Sequence, residues 1–159
     1  MIKVINMLVN GQAIELGVDE RESLTDTLRQ RLGLTSVKKG CEAGECGACT
    51  ILMDGKAVNS CLYLSVYADG HEIMTVEGLV GADNQLHPLQ QAFIDEAAIQ
   101  CGFCTPGLLM TGMELVGSGK KYSRAELREC ISGHLCRCTG YENIINALEK
   151  VIGKDSQNL

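Results

Sequence analysis

The 159-residue sequence contains no run of the roughly 18 apolar residues that a membrane span needs. Its first residues, Met1-Ile2-Lys3-Val4-Ile5-Asn6, lack the long apolar core of a secretory signal. Positive charge is also short. Against 14 Lys and Arg stand 20 Asp and Glu, for a formal net charge of −6, so there is no basic footprint for nucleic acid. Neither a P-loop nor a G-x-G-x-x-G strand–helix unit is present, which removes the usual cradles for nucleotide phosphates and for flavin or nicotinamide. These absences lead to the expectation of a soluble, cytoplasmic protein with no membrane span and no nucleic-acid partner, in which thiols stay reduced.

Cysteine is what the chain has in quantity. There are nine, an odd count that suits a disulfide framework poorly. Eight fall into two sets of four with unequal spacing. The first is Cys41-x4-Cys46-x2-Cys49-x11-Cys61; the second is Cys101-x2-Cys104, then a long gap, then Cys136-x-Cys138. The first has the plant-type [2Fe–2S] spacing. Two irons sharing two sulfides need two thiolates each, and a loop supplying three of the four must wrap the cluster closely. Gly40, Gly44 and Gly47 let the backbone do so. Structural zinc would favour paired knuckles, a form that within this first set only Cys46 and Cys49 take. Glu42 and Glu45 read as solvated loop charges. In the second set each C-x2-C or C-x-C pair lies just before a helix candidate, whose positive N-terminus suits an anionic thiolate centre. Periodicity does not identify the metal of that second set.

The sequence changes period along its length. Residues 4–9 and 13–18 read as strands joined by Asn10-Gly11, with Ile14, Leu16 and Val18 toward one face. A short helix follows, capped by Ser23, carrying Leu24, Leu28 and Leu32, and ended by Gly33. Residues 50–53 and 56–60 flank Asp54-Gly55, and 72–76 form a further strand candidate. From about Leu86 the pattern is helical. One helix lies behind Pro88 with Leu89, Ala92, Phe93 and Ala97. A second has Thr105 as N-cap and Pro106 first, and runs to Gly117. A third starts at the capping box Ser123-x-x-Glu126 and carries Leu127, Cys130 and Ile131. The last holds Tyr141, Ile144, Ile145, Leu148, Val151 and Ile152. The boundary is expected near residues 78–85, dividing the chain into 1–80 and 81–159, with a frayed polar tail over 154–159.

Taken together, Gly40-Cys41 through Cys49-Thr50, Cys61, Gln100-Cys101-Gly102-Phe103-Cys104-Thr105-Pro106-Gly107 and Gly133-His134-Leu135-Cys136-Arg137-Cys138-Thr139-Gly140-Tyr141 resemble the iron–sulfur subunit of the molybdenum hydroxylases, the xanthine dehydrogenase and aldehyde oxidoreductase family. The resemblance runs from the first strand to about Ile152. It implies an α+β fold, an N-terminal ferredoxin-like β-grasp domain followed by a four-helix bundle. It also implies two [2Fe–2S] clusters, on Cys41, Cys46, Cys49 and Cys61 and on Cys101, Cys104, Cys136 and Cys138. Gln100 and Cys138 would then approach the molybdopterin of a large subunit, and FAD would sit on a medium subunit, in a heterotrimer or a dimer of heterotrimers. Because the chain stops soon after its last helix, molybdenum and flavin domains are expected on other polypeptides, with no substrate chemistry here. His134 departs from the Asn that relatives often carry. The stretch Ser60-Cys61-Leu62-Tyr63-Leu64 leans toward purine-oxidising relatives.

Plainer readings attach to the remaining residues. Cys130 reads as a buried core thiol. His71, His87 and His134 read as surface or capping residues, since cysteines already fill eight ligand positions. Arg137 reads as solvated or as tuning a potential, and Met110 and Met113 as core. Two other functions stay open: a free ferredoxin-like carrier, which would not need the helical half, and a zinc-stabilised interaction module.

Overall fold

The alternation in the first residues and the Asn10-Gly11 turn produce a hairpin. In the computed structural model, which describes residues 1–81 and 83–153, β1 (Ile2–Val9) pairs antiparallel with β2 (Gln12–Asp19). Asn10 and Gly11 both take positive φ, as such a tight turn demands. Three further strands, β3 (Thr50–Met53), β4 (Lys56–Asn59) and β5 (Glu72–Met74), complete a five-stranded sheet of order β2-β1-β5-β3-β4. The β1–β5 pairing is parallel and the others antiparallel.

Helix α1 (Leu24–Asp26) begins at Ser23, whose hydroxyl accepts the Asp26 N–H. It runs on into a π-helical turn, Thr27–Arg31, where the sequence suggests continuous α-helix. Leu24 and Leu28 are fully buried against Ile5, Ile51 and Ile73 of the sheet. The capping box at Ser123 forms as its sequence predicts and starts α4 (Arg124–Cys130). His87 caps α2 (Pro88–Asp95), with Gln90 closing a second box. Ala97 falls beyond the end of α2 and takes φ 50, so it does not extend that helix's apolar face. Helix α3 (Thr105–Gly117) starts one residue earlier than its proline suggests, because Cys104, not Thr105, is the N-cap. Helix α5 (Glu142–Ile152) buries Ile144, Ile145 and Leu148. It packs against α2, α3 and α4 around Phe93, Leu108, Met110 and Leu127.

The architecture is thus α+β, with two apolar cores. Strand β3 is the wall between them. Its residues point alternately to opposite faces, so Ile51 and Met53 enter the sheet core while Leu52 enters the helical one. All four of its residues are buried, because α3 covers the face that would otherwise meet water. Glu114 on α3 accepts the Ala57 N–H at 3.2 Å and pairs with Lys56. Among the described residues no helix is long and apolar enough to cross a membrane; residues 154–159, expected as a polar tail, lie outside the described part.

Since Leu127 is anchored in the core by a short helix that depends on its cap, Ser123→Ala should destabilise the protein by about 1 kcal/mol and Ser123→Gly by a few tenths, read as shifts of the chemical denaturation midpoint.

Candidate metal centre

Three thiols of the first set, Cys41, Cys46 and Cys49, sit on a loop that follows the π-helical turn and enters the sheet as β3, and Cys61 lies in a 3-10 turn just after β4. Glu42, Gly44 and Gly47 all take positive φ there, folding the loop back so that backbone N–H groups point inward. The N–H groups of Ala43 and Glu45 reach Cys41 Sγ at 3.4 and 3.3 Å. Together with a bond from Cys46 they lower the Cys41 thiol to about 7, as donation to a thiolate must. Asn59 Nδ2 holds the Gly44 carbonyl at 2.9 Å, and Thr50 Oγ1 holds that of Gly47 at 2.7 Å. Ser60 fixes the Cys49 carbonyl at 2.8 Å and so leaves Cys61 facing Cys49. Burial, followed by that neighbouring thiol, pushes Cys61 up to about 11. Glu42 is exposed and pairs with Lys39, and Glu45 is exposed too.

The second set gathers around the start of α3. Cys104 is the N-cap, and Cys136 and Cys138 lie on the loop that enters α5. That loop is closed by Tyr141. Its hydroxyl accepts the Cys136 N–H at 2.7 Å and donates to the His134 carbonyl at 3.0 Å, while its own backbone is left-handed at φ 67. Cys138 and Cys101 bring their sulfurs to 3.5 Å, and Cys104 faces Cys136. In each pair one thiol is pushed up and its partner down. The Phe103 N–H, then Cys138, lowers Cys101, while Cys101 raises Cys138. Burial raises Cys104 to about 12. Burial also acts upward on Cys136, but Thr139 and the Cys138 backbone outweigh it and bring it to about 7.

The eight sulfurs therefore stand in four pairs: Cys41 with Cys46, Cys49 with Cys61, Cys101 with Cys138, and Cys104 with Cys136. The chain matches two family models, a 2Fe-2S iron–sulfur cluster binding domain over residues 7–74 and a [2Fe-2S] binding domain over 75–149. It is 55 % identical to the caffeine dehydrogenase subunit gamma of Pseudomonas sp. (strain CBB1), over 93 % of this chain and 90 % of that one. It is 46 % identical to the xanthine dehydrogenase iron–sulfur-binding subunit of Escherichia coli O157:H7, with 91 % of each chain covered.

The chain belongs to the iron–sulfur subunits of the molybdenum hydroxylases.

The fold of this subunit agrees. It matches the crystal structure of quinoline 2-oxidoreductase from Pseudomonas putida 86 with a TM-score of 0.89 and 48 % identity, over 92 % of this chain and 90 % of that one. Aldehyde oxidoreductase from Desulfovibrio gigas matches with a TM-score of 0.88 over 94 % of this chain but only 17 % of its own, so there the same unit is part of a longer polypeptide. The subunit binds [2Fe–2S] iron–sulfur groups and serves an oxidoreductase. Its donor set fits such a group: paired thiols, with inward N–H donors, and apolar walls.

Gln100 and Cys138 are both exposed, on the same rim as Cys101, and Arg137 is exposed beside them. Cys130 is only part-buried at the end of α4, against the expectation of a buried thiol, because the helix ends there and tilts its side chain to the edge of the core. His71 behaves as a surface residue, paired with Asp54 at 2.5 Å. His134 does not. It is 6 % exposed, with Nε2 bonded to Thr111 Oγ1 at 2.7 Å, and burial lowers it to about 4. The sequence around it, Gly133-His134-Leu135, carries no signal of burial; its cover comes from α3 and the first thiol loop.

Those two segments meet backbone to backbone. A methyl group on Gly107 would lie 2.2 Å from the Gly47 carbonyl oxygen, which cannot yield. Gly107→Ala should therefore cost about 1–3 kcal/mol, whereas Gly117→Ala, on the same helix with open space around it, should be neutral or stabilising by up to about 1 kcal/mol. Paired denaturation curves check both.

Proposed function

We propose that this chain is the two-cluster electron-transfer subunit of a heteromeric molybdenum hydroxylase, passing electrons from a molybdopterin-binding large subunit to an FAD-binding medium subunit. The observation that carries this reading is the arrangement of eight thiols as four pairs in two separate sets. A two-iron cluster takes two thiolates at each iron, so two pairs serve one cluster and four pairs serve two. A structural zinc favours paired knuckles of sequence, whereas the first set spaces its thiols in the plant-type [2Fe–2S] pattern.

Under this reading Cys41, Cys46, Cys49 and Cys61 would hold the first cluster, and Cys101, Cys104, Cys136 and Cys138 the second. When bound, a [2Fe–2S] cluster accepts and releases one electron at a time. The chain's own residues would hold each group in place and keep water from its inner side, with the Ala43 and Glu45 N–H groups donating to the Cys41 ligand sulfur. The exposed rim of Gln100, Cys101 and Cys138 faces the pterin of the large subunit. Exposed apolar side chains flank both sets, Phe103 and Leu135 beside the second and Leu62 and Tyr67 after the first, which suits burial against partner subunits. The sheet with α1 corresponds to a ferredoxin-like β-grasp domain and α2–α5 to a four-helix bundle, meeting near residue 80. The assembly is a heterotrimer or a dimer of heterotrimers, in the cytoplasm. Its substrate is a nitrogen heteroaromatic, purines included: the names of the relatives include caffeine and xanthine dehydrogenases, and the stretch around Cys61 leans the same way.

Purified protein is expected to hold two irons and two acid-labile sulfides per set, four of each in all. Half that content, or zinc in their place, overturns the two-cluster reading. Copurification with molybdenum and flavin supports the subunit, and a lone monomeric carrier of electrons refutes it. In the assembled complex Cys138→Ser should slow reduction by substrate while the first cluster keeps its spectrum; unchanged kinetics would remove Cys138 from the pterin side.

A further inference from the structure

His134 lies two residues before Cys136, yet its ring touches neither thiol set through a sulfur. It fills the space between the two. A Cβ on Gly47, in the first thiol loop, would lie 2.4 Å from His134 Nδ1, so the ring sits directly on that glycine. A Cβ on Gly107, in the first turn of α3, would lie 3.3 Å from the same nitrogen. The opposite edge is bonded to Thr111, one turn further along α3. Beside the ring, the Leu135 N–H donates to the Cys46 carbonyl at 3.0 Å. One imidazole thus contacts the first thiol loop, the helix that begins at Cys104, and the loop that carries Cys136.

A side chain kept there for stability alone would be apolar. Nδ1 is buried against the Gly47 backbone without the geometry of a full hydrogen bond, which costs up to about 1 kcal/mol. A leucine of similar volume would avoid that cost. What leucine would lack is a ring held at a fixed angle by Thr111 and flat enough to let the Gly47 and Gly107 backbones meet beneath it.

We propose that His134 is a positioning residue for electron transfer within this subunit: it sets the separation and mutual orientation of the two iron–sulfur sites by wedging the Cys46–Gly47 loop against the Leu135–Cys136 loop. The inference rests on the two-cluster reading above and deepens it. It assigns no ligand and no proton to His134.

The test uses the assembled complex with His134→Leu, His134→Gln and Thr111→Val, each assayed for iron, for the spin–spin splitting between the two reduced clusters in electron paramagnetic resonance, and for hydrogen exchange at the Leu135 amide. His134→Leu is expected to retain full iron while the splitting is lost or reduced and the Leu135 amide loses protection. His134→Gln, whose amide reaches Thr111, should restore part of the splitting. Full iron with unchanged splitting in His134→Leu overturns the proposal. Should His134→Leu fail to load, Thr111→Val decides: it frees the ring without removing it, so reduced splitting supports the assignment and unchanged splitting overturns it. A parent protein holding one cluster's worth of iron overturns the two-cluster reading, and this inference with it; full iron in the parent confines any failure to His134.

Discussion

The closest constraint in the molecule is the approach of Gly47 to Gly107. One belongs to the loop of the first thiol set and the other to the helix that starts at the second, and no side chain separates them. This contact joins one site to the other directly. Strand β3 leaves the first loop and presents alternate side chains to two cores. Helix α3 covers one face of that strand and starts at Cys104. The sheet and the helices therefore share a wall as well as a contact, and a change in either moves both thiol sets.

Electrostatics follows from how the loops are tied. Each set has a thiol lowered to about 7, Cys41 and Cys136, and a more buried one raised above the ordinary value, Cys61 and Cys104. At the lowered members N–H or hydroxyl donors outweigh burial, and at the raised ones burial and a neighbouring thiol win; such donors are the groups that would stabilise negative charge on bound sulfur. Local backbone direction, set by left-handed residues such as Gly44 and Tyr141, thus shapes both sites.

Much of this was legible in the sequence, and the reason differs by element. Hairpin turns and capping boxes announce themselves because they are local: Asn10-Gly11 and Ser123-x-x-Glu126 need only their own neighbours. The cysteine sets were legible through spacing. Their pairing was not, because which sulfur faces which depends on the path of the Ser60 and Tyr141 loops. The π-helical turn after Asp26 escaped notice since its apolar spacing is also that of an α-helix. His134 was misread as a surface or capping residue because its burial is made entirely by segments distant in sequence.

The two thiol sets also differ in how much chain each encloses. Cys41 to Cys61 is one short stretch, whereas the second set stays open until Tyr141 has closed the Cys136 loop. A ribosome delivers the N-terminal part first, so all four thiols of the first set are made before any thiol of the second, although the helix α3 that covers β3 comes later. The chain itself therefore fixes the order in which the ligands come into being: every thiol of one site exists while those of the other are still being made.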